Sequence, residues 1–506
     1  MHLELGIDPL ILLASGLLLG AVLTAALAAT PGSRFRIPGA LLFLVIGMVV
    51  GDDGLGLVSL ADTSLVRDLG ILALLVILFE GGLTTKTTDL RLAAVPGLAL
   101  STIGVLLTAG LTGLGTWLLL GLDLPTALLV GAVVASTDAA AVFSMMRTTP
   151  LPRRVSALLR IESGANDPIA VMLTVGLLTT YTDEPAGPLD WLRFAVVQLG
   201  GGALVGLLVG AAGVWLLRRV NLGVLGLYPV LAAAIAGVAY GSAALLGASG
   251  FVAVYLAGFL IGGFVPRQRR AILGFHEAVA NGAEIGLFLL LGLLVFPSRL
   301  PAVLAPALLV AAVLILIARP AAVWLCTVRT GMRWRERTVV SWAGLRGAVP
   351  IVLATFPLTE GVPGSAALFD VVFFVVLVSV LLQGTTLLPL VRRLGLEDQR
   401  PAWAPVAEAL PLDDVDIDLI ELHVTGELAI AGRQLKEIGP PADGRVVAVV
   451  REDRMLVPSG ETRLLDGDVL LLTCVREDDR DVAALVTAWA RGEEGERTRG
   501  ARRSDG

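Results

Sequence analysis

The segment IESGANDPIAVML, Ile161 to Leu173, places Glu162, Ser163, Asn166 and Asp167 just ahead of Pro168 in a stretch otherwise apolar enough for a lipid bilayer. On a helix Ser163 and Asp167, four apart, share one face, while Glu162 and Asn166 share a neighbouring face about 100° round. One face can bind something while the other is tied down. Pro168 lacks an amide donor and frees the carbonyl of Gly164 in the turn before it.

Further charges lie where lipid should be: Glu80, Asp138, Glu284, Arg319 and Arg346 all fall inside apolar runs. A charge at mid-membrane costs roughly 2.5–3.5 kcal/mol on insertion scales, and it usually faces a polar cavity or pairs with another charge. Arg319, in LILIARPAAVWL, cannot be neutralised and needs an acid at similar depth, for which Glu162 is the candidate. The alternative is that Arg319 lies near the cytoplasmic end and snorkels to the surface. VVASTDAAAV, with Thr137 and Asp138, and SWAGLRGAVPIVLA, with Gly344, Arg346, Gly347 and Pro350, both read as interrupted helices. Taken singly, either is an ordinary tolerated kink. Together, at corresponding points of two halves, they point to a transporter site at an inverted-repeat interface. His2 and His423 lie outside the apolar runs and His276 sits just after a cytoplasmic loop, so proton handling falls to carboxylates.

These residues must be positioned by membrane helices. The 506-residue chain is 56% hydrophobic and 16% charged, with a mean hydropathy of +0.83. About thirteen apolar runs follow one another from residue 10 to 391, more than a soluble core can absorb. Arg34/Arg36, Lys86/Arg91, Arg153/Arg154, Arg218/Arg219, Arg267/Arg269/Arg270, Arg333/Arg335/Arg337 and Arg392/Arg393 occupy alternate loops. By the positive-inside rule the amino terminus faces outward and the carboxyl terminus the cytoplasm of a plasma-membrane protein. Net charge −6 argues against nucleic acid. Cys326 and Cys474 suggest neither a disulfide framework nor a thiolate metal site. Lys86 and Lys436, the only lysines, stand outside any GxxxxGK[ST] loop, and no nucleophile–base arrangement appears, so neither a pump nor an enzyme is indicated.

The sequence divides into a membrane part, 1–395, a linker, 396–411, a soluble domain, 412–490, and a charged tail, 491–506, expected to be disordered. In the soluble part DLIELHV, RVVAVVRED, MLVPSG and GDVLLLTCV read as strands, and GRQLKEIG and DDRDVAALVTAWA as helices. The expected fold is an all-α polytopic bundle plus a small cytoplasmic α+β domain.

STDAAAVF, ESGANDPIAV, LFEGGL, LIAR and GLRGAVPIVLA, in this order and spacing, resemble the monovalent cation:proton antiporter-1 family, the NhaP-type sodium or potassium/proton exchangers. The resemblance implies two unwound crossing helices, a homodimer in membrane lipid and no cofactor. It implies that Asp167 binds the transported alkali cation or the proton, with oxygens from Ser163 and Thr137, Asn166 beside it and Glu80 joining through water. Glu162 and Arg319 would form a structural ion pair, and Asp138, Gly344, Arg346 and Gly347 would lie at the unwound crossings. Electrogenic relatives carry two aspartates where this chain has Asn166 and Asp167, which implies electroneutral exchange. GANDP departs from the commoner LLNDA. LAIAGRQLKEIG, RVVAVVRED and LVPSGETRLLDGDVLLL resemble the TrkA-C regulatory module, which implies a small ligand such as a cyclic dinucleotide or nucleotide and favours the potassium/proton branch. The rival classes are a cation-coupled solute symporter and a TrkA-C-gated potassium channel. For the channel, the nearest approach to a carbonyl filter is TVGLL, Thr174 to Leu178, which lacks the second glycine.

Overall fold

The computed structural model describes residues 39–57, 63–85, 87–146, 151–182, 187–265, 269–396, 417–424, 426, 428–439, 445–451 and 454–475. The first predicted run, 10–29, the helix DDRDVAALVTAWA, the linker beyond 396 and the tail lie outside these residues. The chain divides into two units, Met1–Asp398 and Gln399–Gly506.

In the first unit helices follow one another with short connections: α1 (Gly39–Val50), α2 (Thr63–Thr84), α3 (Thr87–Ala99, then Val105–Leu120), α4 (Leu124–Val133), α5 (Ala139–Met145) and α6 (Arg153–Thr182). They continue with α7 (Pro188–Ala195, then Gly202–Arg219), α8 (Leu227–Leu245), α9 (Gly250–Phe264), α10 (Arg269–Leu293) and α11 (Leu300–Ala312, then Arg319–Thr327). The last three are α12 (Trp334–Trp342), α13 (Ala348–Thr359) and α14 (Ser365–Leu394). Among the described residues five helices are long and apolar enough to cross a membrane: Leu92–Leu120, Pro188–Arg219, Leu227–Leu245, Pro297–Thr327 and Ser365–Leu394. Their outer faces leave large side chains such as Leu118, Leu208, Trp215 and Leu316 exposed, the surface that lipid covers in a membrane protein.

Local chemistry sets the helix ends. Asp123 caps α4, its carboxylate accepting from the Thr126 N–H at 3.1 Å, and Pro125 occupies the first turn, where no amide donor is needed. Gly121, at φ 66°, closes α3 in the left-handed region. α3, α7 and α11 each widen into a π-helical turn, at Leu100–Gly104, Val196–Gly201 and Val313–Ala318. The last of these ends immediately before Arg319, so Pro320 opens a fresh helical segment instead of breaking one. Pro168 does not end its helix either: α6 runs on from Arg153 to Thr182.

The broken helix pairs α4/α5 and α12/α13 pass through the middle of the bundle. Leu129, Val130 and Val133 of α4, Ala170 and Val171 of α6, Ile351–Ala354 of α13 and Val372–Phe373 of α14 belong to one buried apolar cluster. A second cluster joins Val142 of α5, Val155, Leu158 and Ile161 of α6, Val323 of α11 and Val340 of α12. Arginines tie helix ends together: Arg218 donates to the Phe264 carbonyl at 2.7 Å, Arg269 to Gly262 at 2.8 Å and Arg337 to Thr327 at 2.9 Å. They satisfy carbonyls that a helix C-terminus leaves open.

The second unit holds an antiparallel sheet in the order β1-β4-β2-β3, from Ile417–His423, Val469–Val475, Arg445–Arg451 and Arg454–Leu456. Its strands fall on the four segments read as strands from the sequence, while GRQLKEIG forms only the single turn α15 (Leu435–Ile438). Leu422, Val424, Ile430, Val449, Leu464, Leu470 and Leu472 fill its core. Asp468, buried at the end of β4, takes Nε and Nη2 of Arg451 at 2.7 and 2.8 Å and the Leu465 N–H at 2.7 Å. These bonds hold its carboxyl below the usual aspartate range.

Candidate ion-binding site

The second broken helix stops at Trp342 and restarts at Ala348; the first stops at Val133 and restarts at Ala139. The two interruptions meet. The Asp138 N–H donates to the Leu345 carbonyl at 2.8 Å. Arg346, wholly buried, reaches back with Nη1 to the carbonyls of Ala135 at 2.7 Å and Ser136 at 2.6 Å. A guanidinium thus satisfies carbonyl groups that the end of α4 leaves without helical partners. Glycine is required at both contact points: a Cβ on Gly347 would run into the Asp138 carboxylate, and one on Gly344 would stand 2.6 Å from Nε of Arg319. The Asp138 carboxylate also caps α5, accepting from the Ala141 N–H at 3.3 Å.

α6 lies against this crossing along the face that bears the opening motif. Glu162 and Arg319, 1% and 2% exposed, form a two-pronged ion pair: Nη2 donates to Oε2 at 2.9 Å, and Nη1 donates to Oε1. Arg319 therefore does not reach the surface. Its remaining contact is the Val340 carbonyl at 3.3 Å. Asn166 donates to the Thr137 hydroxyl at 2.6 Å and carbonyl at 3.2 Å, and that hydroxyl points on to Glu162 Oε1 at 3.5 Å. The face carrying Glu162 and Asn166 is thus the tied one.

Asp167 is 7% exposed, and its Oδ1 is buried without a hydrogen-bond partner, as are Asn166 Oδ1 and Ser136 Oγ. Unpaired buried oxygens of this kind are expensive unless something else occupies the space. Ser136, in the first interruption, and Asp167, on α6, thus each hold an unpaired buried oxygen. Thr137, singled out from the sequence, has its hydroxyl taken by Asn166 and Glu162, and Ser163 accepts from the Ala139 N–H at 3.1 Å. Ser136, which the sequence reading did not single out, is a further unpaired buried oxygen of the same interruption; in an unwound segment no periodicity tells which side chain turns inward.

Glu80 is not brought into contact with Asp167. It stands on α2 within electrostatic reach of Glu277 and Glu284 of α10, and Glu284 is within reach of Asp138. Residues on the same side of α10, Gly274, Glu277, Asn281 and Gly282, are exposed. His276 is buried between Phe79 and Phe275, with Nδ1 2.7 Å from the Ile272 carbonyl.

A membrane-embedded carboxylate held against two broken helices defines a secondary transporter. Residues 19–393 match the family described as sodium/hydrogen exchanger, transmembrane, and residues 419–486 match the TrkA-C domain. The chain belongs to the sodium/hydrogen exchanger family. It is 39% identical over 490 residues to the K(+)/H(+) antiporter NhaP2 of Shewanella baltica, covering 94% of this chain and 83% of that one. To the K(+)/H(+) antiporter NhaP of Alkalimonas amylolytica it is 37% identical over 470 residues, covering 90% and 80%. Its fold resembles the sodium proton antiporter MjNhaP1 of Methanocaldococcus jannaschii, with a TM-score of 0.66 and 24% identity, covering 76% of this chain and 99% of that one.

Proposed function

We propose that this protein exchanges potassium for protons across the plasma membrane, with Asp167 as the group that both ions share. The observation that carries the reading is the Asp167 carboxylate, buried at the crossing with Oδ1 unpartnered. A carboxylate cut off from water must be neutralised, by a proton or by a metal cation, and the two compete because they seek the same oxygens. If the bundle reorients only when that charge is neutralised, each cycle carries one ion one way and the other ion back. Asn166 is uncharged, so exchange is one for one and electroneutral; reversal potentials showing net charge movement would refute this stoichiometry. Potassium is favoured over sodium because relatives at 39% and 37% identity across most of the chain are named K(+)/H(+) antiporters.

Glu80 of α2 and Glu284 of α10 are the further acids of the ion path. The Glu162–Arg319 pair fixes α6 against α11, and Asp138, Gly344, Arg346 and Gly347 hold the crossing. The second unit is a cytoplasmic regulatory module for a small ligand, and the assembly is a homodimer.

The test is proton-coupled flux in vesicles. An imposed pH gradient should collapse on adding potassium, less readily on adding sodium, and not at all in Asp167→Asn, which inserts normally because its neutral side chain resembles the protonated one. Full exchange in Asp167→Asn would remove Asp167 from its role.

A further inference from the structure

In an unbroken α-helix the N–H of residue 346 would donate to the carbonyl of residue 342. Here residues 343–347 leave the helix, and that hydrogen bond is among those opened. Both orphaned groups are claimed by α14. The Arg346 N–H donates to Ser379 Oγ at 3.1 Å, Ser379 donates to Gln383 Oε1 at 2.5 Å, and Gln383 Nε2 donates to the Trp342 carbonyl at 2.9 Å. Two side chains are thus spliced into this one of the opened hydrogen bonds.

Ser379 and Gln383 are fully buried and, four apart, share one face of a largely apolar helix. One turn on, Thr386 accepts from the Trp342 indole N–H at 2.8 Å, which fixes the same helix end from its side chain. A buried glutamine in such a helix is costly unless both ends of its amide are satisfied. Gln383 satisfies both on the break, with Ser379 and with the Trp342 carbonyl. A hydroxyl and an amide also serve the first break, on groups that are not the two halves of one helical bond. There Ser163 and Asn166 of α6 take the Ala139 N–H and the Thr137 carbonyl. Each broken helix is therefore clasped by a hydroxyl and an amide from the long helix that follows it in the chain.

We propose that Ser379 and Gln383 are positioning residues for the cation site, a wedge that keeps α12 and α13 from closing into one helix. The open break lets Arg346 reach the Ala135 and Ser136 carbonyls, and Arg346 in turn fixes the first interruption beside the segment of α6 that carries Asp167. Without the wedge the 346 N–H can return to the 342 carbonyl, and the Arg346 side chain turns with it. The consequence for transport rests on the reading of Asp167 as the exchanging group; the consequence for the backbone does not.

The test uses the full chain in proteoliposomes and in detergent. Ser379→Ala and Gln383→Met should raise the potassium concentration for half-maximal exchange tenfold or more, while Ser379→Thr, which keeps the hydroxyl, stays within twofold of the parent. In hydrogen–deuterium exchange, both disruptive variants should change the protection of residues 343–347 and also of 134–138, on the other broken helix. A merely structural role would lower the yield of folded protein without moving half-saturation or reaching 134–138. Should Gln383→Met fail to insert, Ser379→Ala against Ser379→Thr decides the matter. Unchanged protection at 134–138 in Ser379→Ala would overturn the proposal. Altered protection there, with exchange that does not depend on Asp167, would sustain the wedge and overturn the reading of Asp167 instead.

Discussion

Removing the Glu162 carboxylate should damage folding more than almost any other single change in the membrane unit. Glu162 and Arg319 are 1% and 2% exposed, and the carboxylate supplies both strong acceptors of the guanidinium. Glu162→Ala leaves Arg319 with the Val340 carbonyl at 3.3 Å, its Nε being already without a partner. Breaking a buried pair on one side costs roughly 3–5 kcal/mol, because a full charge stays buried without compensation. That is about a 10²- to 10⁴-fold loss in the ratio of folded to unfolded protein. Replacing both partners by apolar side chains removes the stranded charge together with the pair. Glu162→Met combined with Arg319→Met should therefore recover most of the loss, falling short only by the acceptor that Thr137 also loses. The assay is the temperature at which detergent-solubilised protein loses its monodisperse elution peak, for the parent, each single variant and the double variant. A parent-like temperature for Glu162→Ala, or a double variant no better than the single ones, would refute the reasoning.

Two other consequences concern the crossing and the second unit. Gly347→Ala should abolish exchange, because its Cβ enters the space of the Asp138 carboxylate, an overpacking cost of about 1–3 kcal/mol; Gly263→Ala, which meets open space, should leave exchange within twofold in the same flux assay. Arg451 and Leu465 hold the Asp468 carboxyl below its ordinary value of 3.8, so their contribution to the stability of the second unit is present above that pH and is lost as pH falls further, through the folded-state value. Circular dichroism of that unit between pH 5 and 2, values chosen to bracket the ordinary aspartate range near 4, should show Arg451→Leu less stable at the upper end and converging on the parent at the lower end.

The residues that carry charge into an apolar chain were legible before any coordinates, because lipid makes each of them conspicuous. Arg319 demanded an acid and Glu162 lies opposite it; Gly344 and Gly347 marked a break that the helix does take. What escaped was whatever depends on irregular backbone. Nothing in VVASTDAAAV says that the Thr137 hydroxyl turns to Asn166 and Glu162 while that of Ser136 stays unpaired, since side-chain direction is predictable only where the dihedrals repeat. The π-helical turn before Arg319 leaves no mark in composition. Ser379 and Gln383 were hidden differently: one serine and one glutamine in a hydrophobic run look incidental until the broken helix they clasp is in place.

The most direct measurement is the number of protons released when potassium binds, obtained by titration calorimetry in buffers of different ionisation enthalpy. If one carboxylate serves both ions, binding should release close to one proton per cation at pH values where Asp167 is protonated, and both the heat and the proton release should vanish in Asp167→Asn. Potassium binding with no proton released at any pH, or binding that persists unchanged in Asp167→Asn, would contradict the account.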